Sequence, residues 1–298
     1  MTKFGQTLTA VLVGATVASA QESEERTEES FIPRYAVASS YFSWGGETNF
    51  SNTSGSVSMW EAGAEANVPV YKKDGFLMTA GAKYRRNNLE FSGAPFPLDS
   101  KSYDLTRVDI PINAWIELND RWKLWGRVQP GWYSDFGNVG SDDFILTSLA
   151  LLSYKLNDSM KVAFGAFYSR DLGEERLLPA FGFIYEPNQQ WSLALTFPRV
   201  EVAYAPDRNS LLTARAVLSG AGWNIEDPAG GDQNVDLNYK SIRVSLGYDQ
   251  RIGTSPWWAY VDGGMQVGQE IEIEGGGYEF SEDLDSNVFV NAGVKLRF

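Results

Sequence analysis

From Phe31 onward, apolar and polar residues alternate with a period of two. In Val108 to Leu118 (VDIPINAWIEL) one parity is Val108, Ile110, Ile112, Ala114, Ile116 and Leu118, all apolar. The other is Asp109, Pro111, Asn113, Trp115 and Glu117, mainly polar. A strand sorts two such sets onto opposite faces automatically, and a helix does not. The same sorting recurs in Trp122 to Trp132, in Ile242 to Tyr248 and in Val288 to Phe298. The pattern predicts fourteen strands, at about 35–44, 54–71, 76–91, 102–118, 121–136, 143–156, 160–171, 177–186, 190–197, 199–206, 210–223, 236–251, 256–274 and 286–298. Segment 143–156 (DFILTSLALLSYKL) is apolar on both parities, so its facing is ambiguous.

Connection lengths carry a second pattern. Long or moderate connections (Gly45 to Thr53, Ser92 to Lys101, Gly137 to Asp142, Leu172 to Arg176, Asn224 to Val235, Gly275 to Asp285) alternate with short turns such as KKDG at Lys72 to Gly75 and Asn119-Asp120. The pair Pro198-Arg199 is the exception, short where a long loop is due. Short turns at one rim and longer loops at the other describe a transmembrane antiparallel up-and-down β-barrel with both termini on the short-turn side. Fourteen strands keep this phase and twelve is the fallback. Aromatic residues near strand ends fit two interfacial girdles. Trp122, Tyr154, Tyr185, Trp191, Tyr204, Trp257 and Phe298 lie by the short turns, and Tyr41, Trp60, Trp132 and Tyr168 nearer the loops.

Residues 1–20 read as a secretory signal: Lys3, an apolar core from Leu8 to Val17, and Ala18-Ser19-Ala20 as a cleavage site. The stretch 21–33 begins QESEERTEES and reads as a disordered periplasmic tail, followed by the barrel domain at 34–298.

Composition narrows the chemistry. The 298 residues carry a formal net charge of −13 and contain no Cys and no His. Thiolate nucleophiles, Ser-His and Cys-His pairs, and Cys- or His-ligated metals are excluded. An acidic chain also argues against nucleic acid as a partner. No G-x-S-x-G elbow and no phosphate-binding glycine loop occurs. The expectation is a protein that is not an enzyme and uses no cofactor and no metal.

The last strand, NVFVNAGVKLRF, places Val294, Leu296 and Phe298 on one parity up to a terminal aromatic. It resembles the insertion signal of Gram-negative outer-membrane proteins. The stretch Ala163 to Pro206, including FGAFYSRDLGEERLLPAFGFIYEP and WSLALTFPRVEVAYAP, is similar to a family of outer-membrane β-barrels classed as a domain of unknown function. The resemblance implies the outer membrane of a Gram-negative bacterium as location. It implies outer-membrane lipid, lipopolysaccharide and, during biogenesis, the barrel-assembly machinery as partners. It transfers no site residue.

Candidate chemistry lies on the inward parity. Lys83, Arg85, Arg107, Asp109, Glu117, Lys123, Arg127, Lys161, Arg215, Arg243, Asp262, Lys295 and Arg297 are the candidate lumen-lining residues, with Glu61, Glu65, Glu201 and Asp249 among the further carboxylates. Two readings follow. One is a narrow, porin-like channel for small polar solutes with a weak preference for anions. The other is a non-conducting structural or surface-interaction barrel stiffened by ion pairs. A long-chain lipid importer is a third reading, weakened because 21–33 is too short for the plug that such importers carry. The acidic loops, crowded with Glu270, Glu272, Glu274, Glu279, Glu282, Asp283 and Asp285, suit either solvation or a divalent cation.

Overall fold

A computed structural model describes residues 30–33, 36–98, 101–137, 140–172, 174–197, 199–228, 230 and 234–297. The predicted signal, most of the predicted tail and Phe298 lie outside these residues. The described residues contain no helix and form sixteen strands. These are β1 (Ala36–Asn49), β2 (Ser56–Lys73), β3 (Phe76–Ser92), β4 (Ser102–Asp109), β5 (Ile112–Glu117), β6 (Trp122–Ser134), β7 (Phe144–Asn157) and β8 (Met160–Leu172). They continue as β9 (Glu174–Tyr185), β10 (Trp191–Thr196), β11 (Arg199–Asp207), β12 (Ser210–Ile225), β13 (Val235–Arg251), β14 (Trp257–Gly275), β15 (Tyr278–Leu284) and β16 (Asn287–Arg297).

The sixteen strands make fourteen staves. β4 and β5 together fill the place between β3 and β6. Pro111 interrupts them, because it has no N–H to give to the ladder; its carbonyl still accepts from Gly81 N at 2.9 Å. β15 and β16 together fill the place beside β14. Neighbours in sequence pair antiparallel throughout, and β1 pairs with β16 to close the cylinder. The fold is a closed fourteen-stave transmembrane barrel, as the alternation and the even count required.

The outward face is apolar at mid-height. Val128, Phe164, Phe181, Leu195, Leu246, Val261 and Val290 are exposed there, Leu246 at 72%. In hydrocarbon this is the favoured surface, and closure pairs the backbone groups that lipid cannot satisfy. Aromatic pairs flank the belt: Trp122–Tyr154 and Trp191–Tyr204 at the short-turn rim, each at 4.6 Å, and Phe42–Trp60 and Trp132–Phe144 toward the loops. Tyr41 departs from the expected girdle. It shares the inward parity with Gly63 and Gly293, and its hydroxyl donates to Glu61 Oε1 at 2.6 Å. A Cβ on Gly63 would lie 2.5 Å from the Tyr41 ring, so the glycine makes room for it.

The segment 275–285, expected as a loop, is largely strand. Ile271 and Ile273 are buried while Glu270 and Glu272 face out, and β15 pairs back along this edge. The density of carboxylates hides an ordinary alternation, EIEIEG. A bulge at Gly268, with φ of +57°, shifts the register between the lower and upper halves of β14.

One stave leaves the cylinder. β12 pairs with β11 only as far as Val217. Above that point it crosses the interior, still paired to β13, and its far edge meets β6 in a parallel bridge, Asn224 to Ser134. Arg107 Nη1 donates to Gly220 O at 3.2 Å along the way. All five residues from Ala221 to Ile225 are buried, so both faces of the strand are covered.

Candidate functional site: the lumen

All thirteen candidate residues take the inward parity, but they fall into distinct layers. Near the short-turn rim, Arg215 bridges Glu201 and Asp262 at 2.7 Å each. Lys295 and Arg297 share Asp249, at 3.1 and 2.8 Å, and lie over the rings of Tyr260 and Trp258. Asp249 is fully buried, so two cations are what make its charge tolerable there. Across the same rim, Glu117–Lys123 (2.6 Å) and Lys161–Glu186 (3.5 Å) are more open to water.

The chain before β1 reaches this rim. Phe31 N donates to Gln189 O at 2.9 Å, and the Arg208 guanidinium sits 5.2 Å from the Phe31 ring. Phe31 and Ile32 pack on the inward residues Ala203, Ala205, Leu211 and Trp258. The last residues of the stretch read as a tail therefore seat in the mouth of the barrel.

The middle layer is built on β1–β6, β13 and β14. Asp109, with no exposed surface, accepts from Tyr133 Oη at 2.5 Å and from Gln129 Nε2 at 3.1 Å, with Arg85 at 4.0 Å. Glu61 accepts from Tyr41 and from Asn87 Nδ2 at 2.8 Å. Lys83 faces Glu65 at 3.7 Å. Arg243 donates to Gln266 and Arg127 to Asn113, both at 2.7 Å. Arg107 is 2% exposed and lies 4.1 Å from the Tyr133 ring, so it belongs to the packed interior. The members Tyr41, Asn113, Gln129 and Tyr133 carry no charge to mark them as lumenal in the sequence. Their shared parity with Asp109 and Arg127 was the available signal.

The top layer is apolar. Leu89, Leu105, Trp223, Ile225, Leu237, Ile271 and Ile273 are each at most 2% exposed and form one cluster with Phe50, Phe91, Tyr133 and others. Among the described residues, β8 to β11 contribute nothing to it. The inward-crossing β12 supplies its centre. Outside this layer, the loop after β12 is tied across: Glu226 N donates to Asp135 Oδ2 at 3.0 Å, Lys101 Nζ donates to Pro228 O, and Tyr278 Oη donates to Asp227 at 2.7 Å.

On the outer face of the β14–β15 hairpin, Lys240 joins Glu270 (2.8 Å) and Glu272 (3.0 Å). Partial burial pushes the Lys240 ammonium down, and the two carboxylates more than offset this, holding it above the usual lysine range. Among the described residues no group of three or more carboxylates is placed to hold a metal ion.

The family model described as "Domain of unknown function (DUF6268)" matches residues 16–297. The chain belongs to that family. No curated protein matches it. Among solved structures, an outer-membrane channel of Pseudomonas putida F1 is similar with 11% identity and a TM-score of 0.49, covering 92% of this chain and 99% of that one. The toluene transporter TodX of P. putida is similar with 11% identity and a TM-score of 0.46, covering 89% and 91%. The KdgM porin, solved with disordered oligogalacturonate, has 9% identity and a TM-score of 0.38, covering 87% and 99%.

Proposed function

We propose that this DUF6268 barrel is a narrow outer-membrane channel of a Gram-negative bacterium that passes small polar solutes and favours anions. Its long-loop rim faces outward from the cell and its short-turn rim the periplasm. The observation that carries this reading is the sign of the middle layer. Lys83, Arg85, Arg127 and Arg243 stand against Glu61 and Glu65, while the fully buried Arg107 and Asp109 offset one another, in a chain whose overall charge is −13. A lumen lined with excess cations inside low-dielectric walls concentrates anions.

The test is current through the purified barrel in a planar bilayer under a KCl gradient. Stepwise openings with a reversal potential on the anion side support the reading, and Lys83→Glu is expected to move that potential toward cations. Lys83 suits the change because its side chain is 26% exposed. A reversal potential indifferent to Lys83→Glu refutes anion selection by this layer.

The apolar top layer favours a second reading, a barrel that conducts nothing and serves structure or surface contact. Silence at every voltage, including in a variant with that layer opened, supports it instead. Lipopolysaccharide and the barrel-assembly machinery are the partners either reading calls for.

A further inference from the structure

The inner face of the barrel is not uniformly polar. Across β6 to β9 one cross-strand row runs Arg127, Leu149, Phe167, Leu178. The row beside it runs Trp125, Leu151, Gly165, Ala180. This is why 143–156 reads as apolar on both parities: its inner face belongs to an apolar half of the lumen. Leu149, Phe167 and Leu178 are only partly buried, and the inward-crossing β12 packs against β8, roofing one part of the strip.

One end of the strip carries a cation. Arg127 donates through Nε to Asn113, and its guanidinium lies 5.2 Å from the Trp125 ring. Among the described residues it forms no ion pair within 4.0 Å, unlike Lys83, Arg215 or Lys295. The other end meets a break in the wall. β10 joins β9 only from Gly182 downward, with one more bond from Phe197 N to Phe181 O. Above it, Glu174 to Ala180 pair with β8 alone, while β12 has left β11 beyond Val217. The outward residues Leu177 (71% exposed) and Phe181 (59%) flank this break. A free strand edge is costly against hydrocarbon, so the break must be lined by water or by a bound molecule.

We propose that the inner face of β6 to β9 binds an anionic amphiphile, a carboxylate on a medium-length hydrocarbon chain. The carboxylate sits on Arg127, whose planar fork matches it. The chain lies along Leu149, Phe167 and Leu178 toward the break between β9 and β12. Three strand spacings give the strip a length of about 14 Å, which an acyl chain spans and acetate does not. The site adds an amphiphilic anion to the small polar anions of the proposed channel and rests on that reading for passage, whereas binding itself needs no current.

The test uses the mature barrel in lipid nanodiscs, titrated calorimetrically with decanoate, decanol and acetate against empty discs. Saturable decanoate binding is expected, with decanol about tenfold weaker and acetate undetected. Arg127→Gln is expected to lower decanoate affinity about tenfold and leave decanol unchanged, and Arg127→Lys, which keeps the charge but not the fork, to fall between the wild type and Arg127→Gln. Phe167→Ala is expected to weaken both chain-bearing ligands. Each variant is first shown folded by its heat-dependent migration in gels. Decanoate heat no greater than in empty discs, or equal affinity in the wild type and Arg127→Gln, overturns the proposal. Decanoate binding by a barrel that is silent in planar bilayers would refute the channel and leave the site standing.

Discussion

Trp223 is the side chain on which closure of the long-loop end most depends. It projects from the inward-crossing part of β12 into the apolar top layer and is 2% exposed. Its Nε1 has no hydrogen-bond partner, so truncation removes packing and nothing else. Trp→Ala at such a site costs about 3–5 kcal/mol. If that loss falls on the arrangement in which β12 spans the interior, the ratio of closed to open barrels drops about a hundredfold to several thousandfold, at roughly 1.4 kcal/mol per tenfold. Single-channel recording reads this as a rise in open probability, with Trp223→Phe close to the wild type. A Trp223→Ala barrel that is folded yet gates like the wild type would show that the top layer does not control passage.

Three further outcomes are expected. Arg215→Met leaves Asp262 buried without its partner at 2.7 Å and costs about 3–5 kcal/mol, measurable as a lower urea midpoint, while Arg215→Met with Asp262→Leu recovers much of it. Phe31→Ser frees the segment seated at Ala203, Ala205 and Trp258, lowering the exchange protection of the residue-31 amide after correction for the intrinsic rate and increasing single-channel conductance; unchanged protection would contradict the docking. Gly63→Val displaces the Tyr41 ring and breaks its bond to Glu61, lowering stability by about 1–3 kcal/mol in the same urea assay.

Strand number and facing were legible because lipid outside and polar groups inside impose a strict period of two. The alternation in Val108 to Leu118 survives even the break at Pro111. Charged inward residues were legible for the same reason. Three features were not. Tyr41 sits at a strand position where an aromatic suits a girdle, and only the glycines across from it reveal that it turns inward. β15 was hidden by its carboxylates, since an outward face above the membrane is as acidic as a loop. The passage of β12 across the interior leaves only an ambiguous mark: its apolar parity switches from Leu212, Ala214, Ala216 and Leu218 to Ala221, Trp223 and Ile225, but β13, which stays in the wall, switches in the same way from Ile242, Val244 and Leu246 to Val235, Leu237 and Tyr239. The short connection after β10, an exception to the loop pattern, was its trace: a low wall there leaves β12 without a neighbour on its β11 side above Val217.

The seam between β1 and β16 sets an order of events. Ala36 pairs with Arg297 and Tyr41 with Gly293, contacts between the two ends of the chain. Until β16 arrives, β1 and β14 each present an unmatched edge, and every earlier stage is an open, curling ribbon. Insertion must therefore shelter those two margins until β16 is in place. A chain cut short by one strand loses the ability to seal at all, whatever the quality of its other ladders.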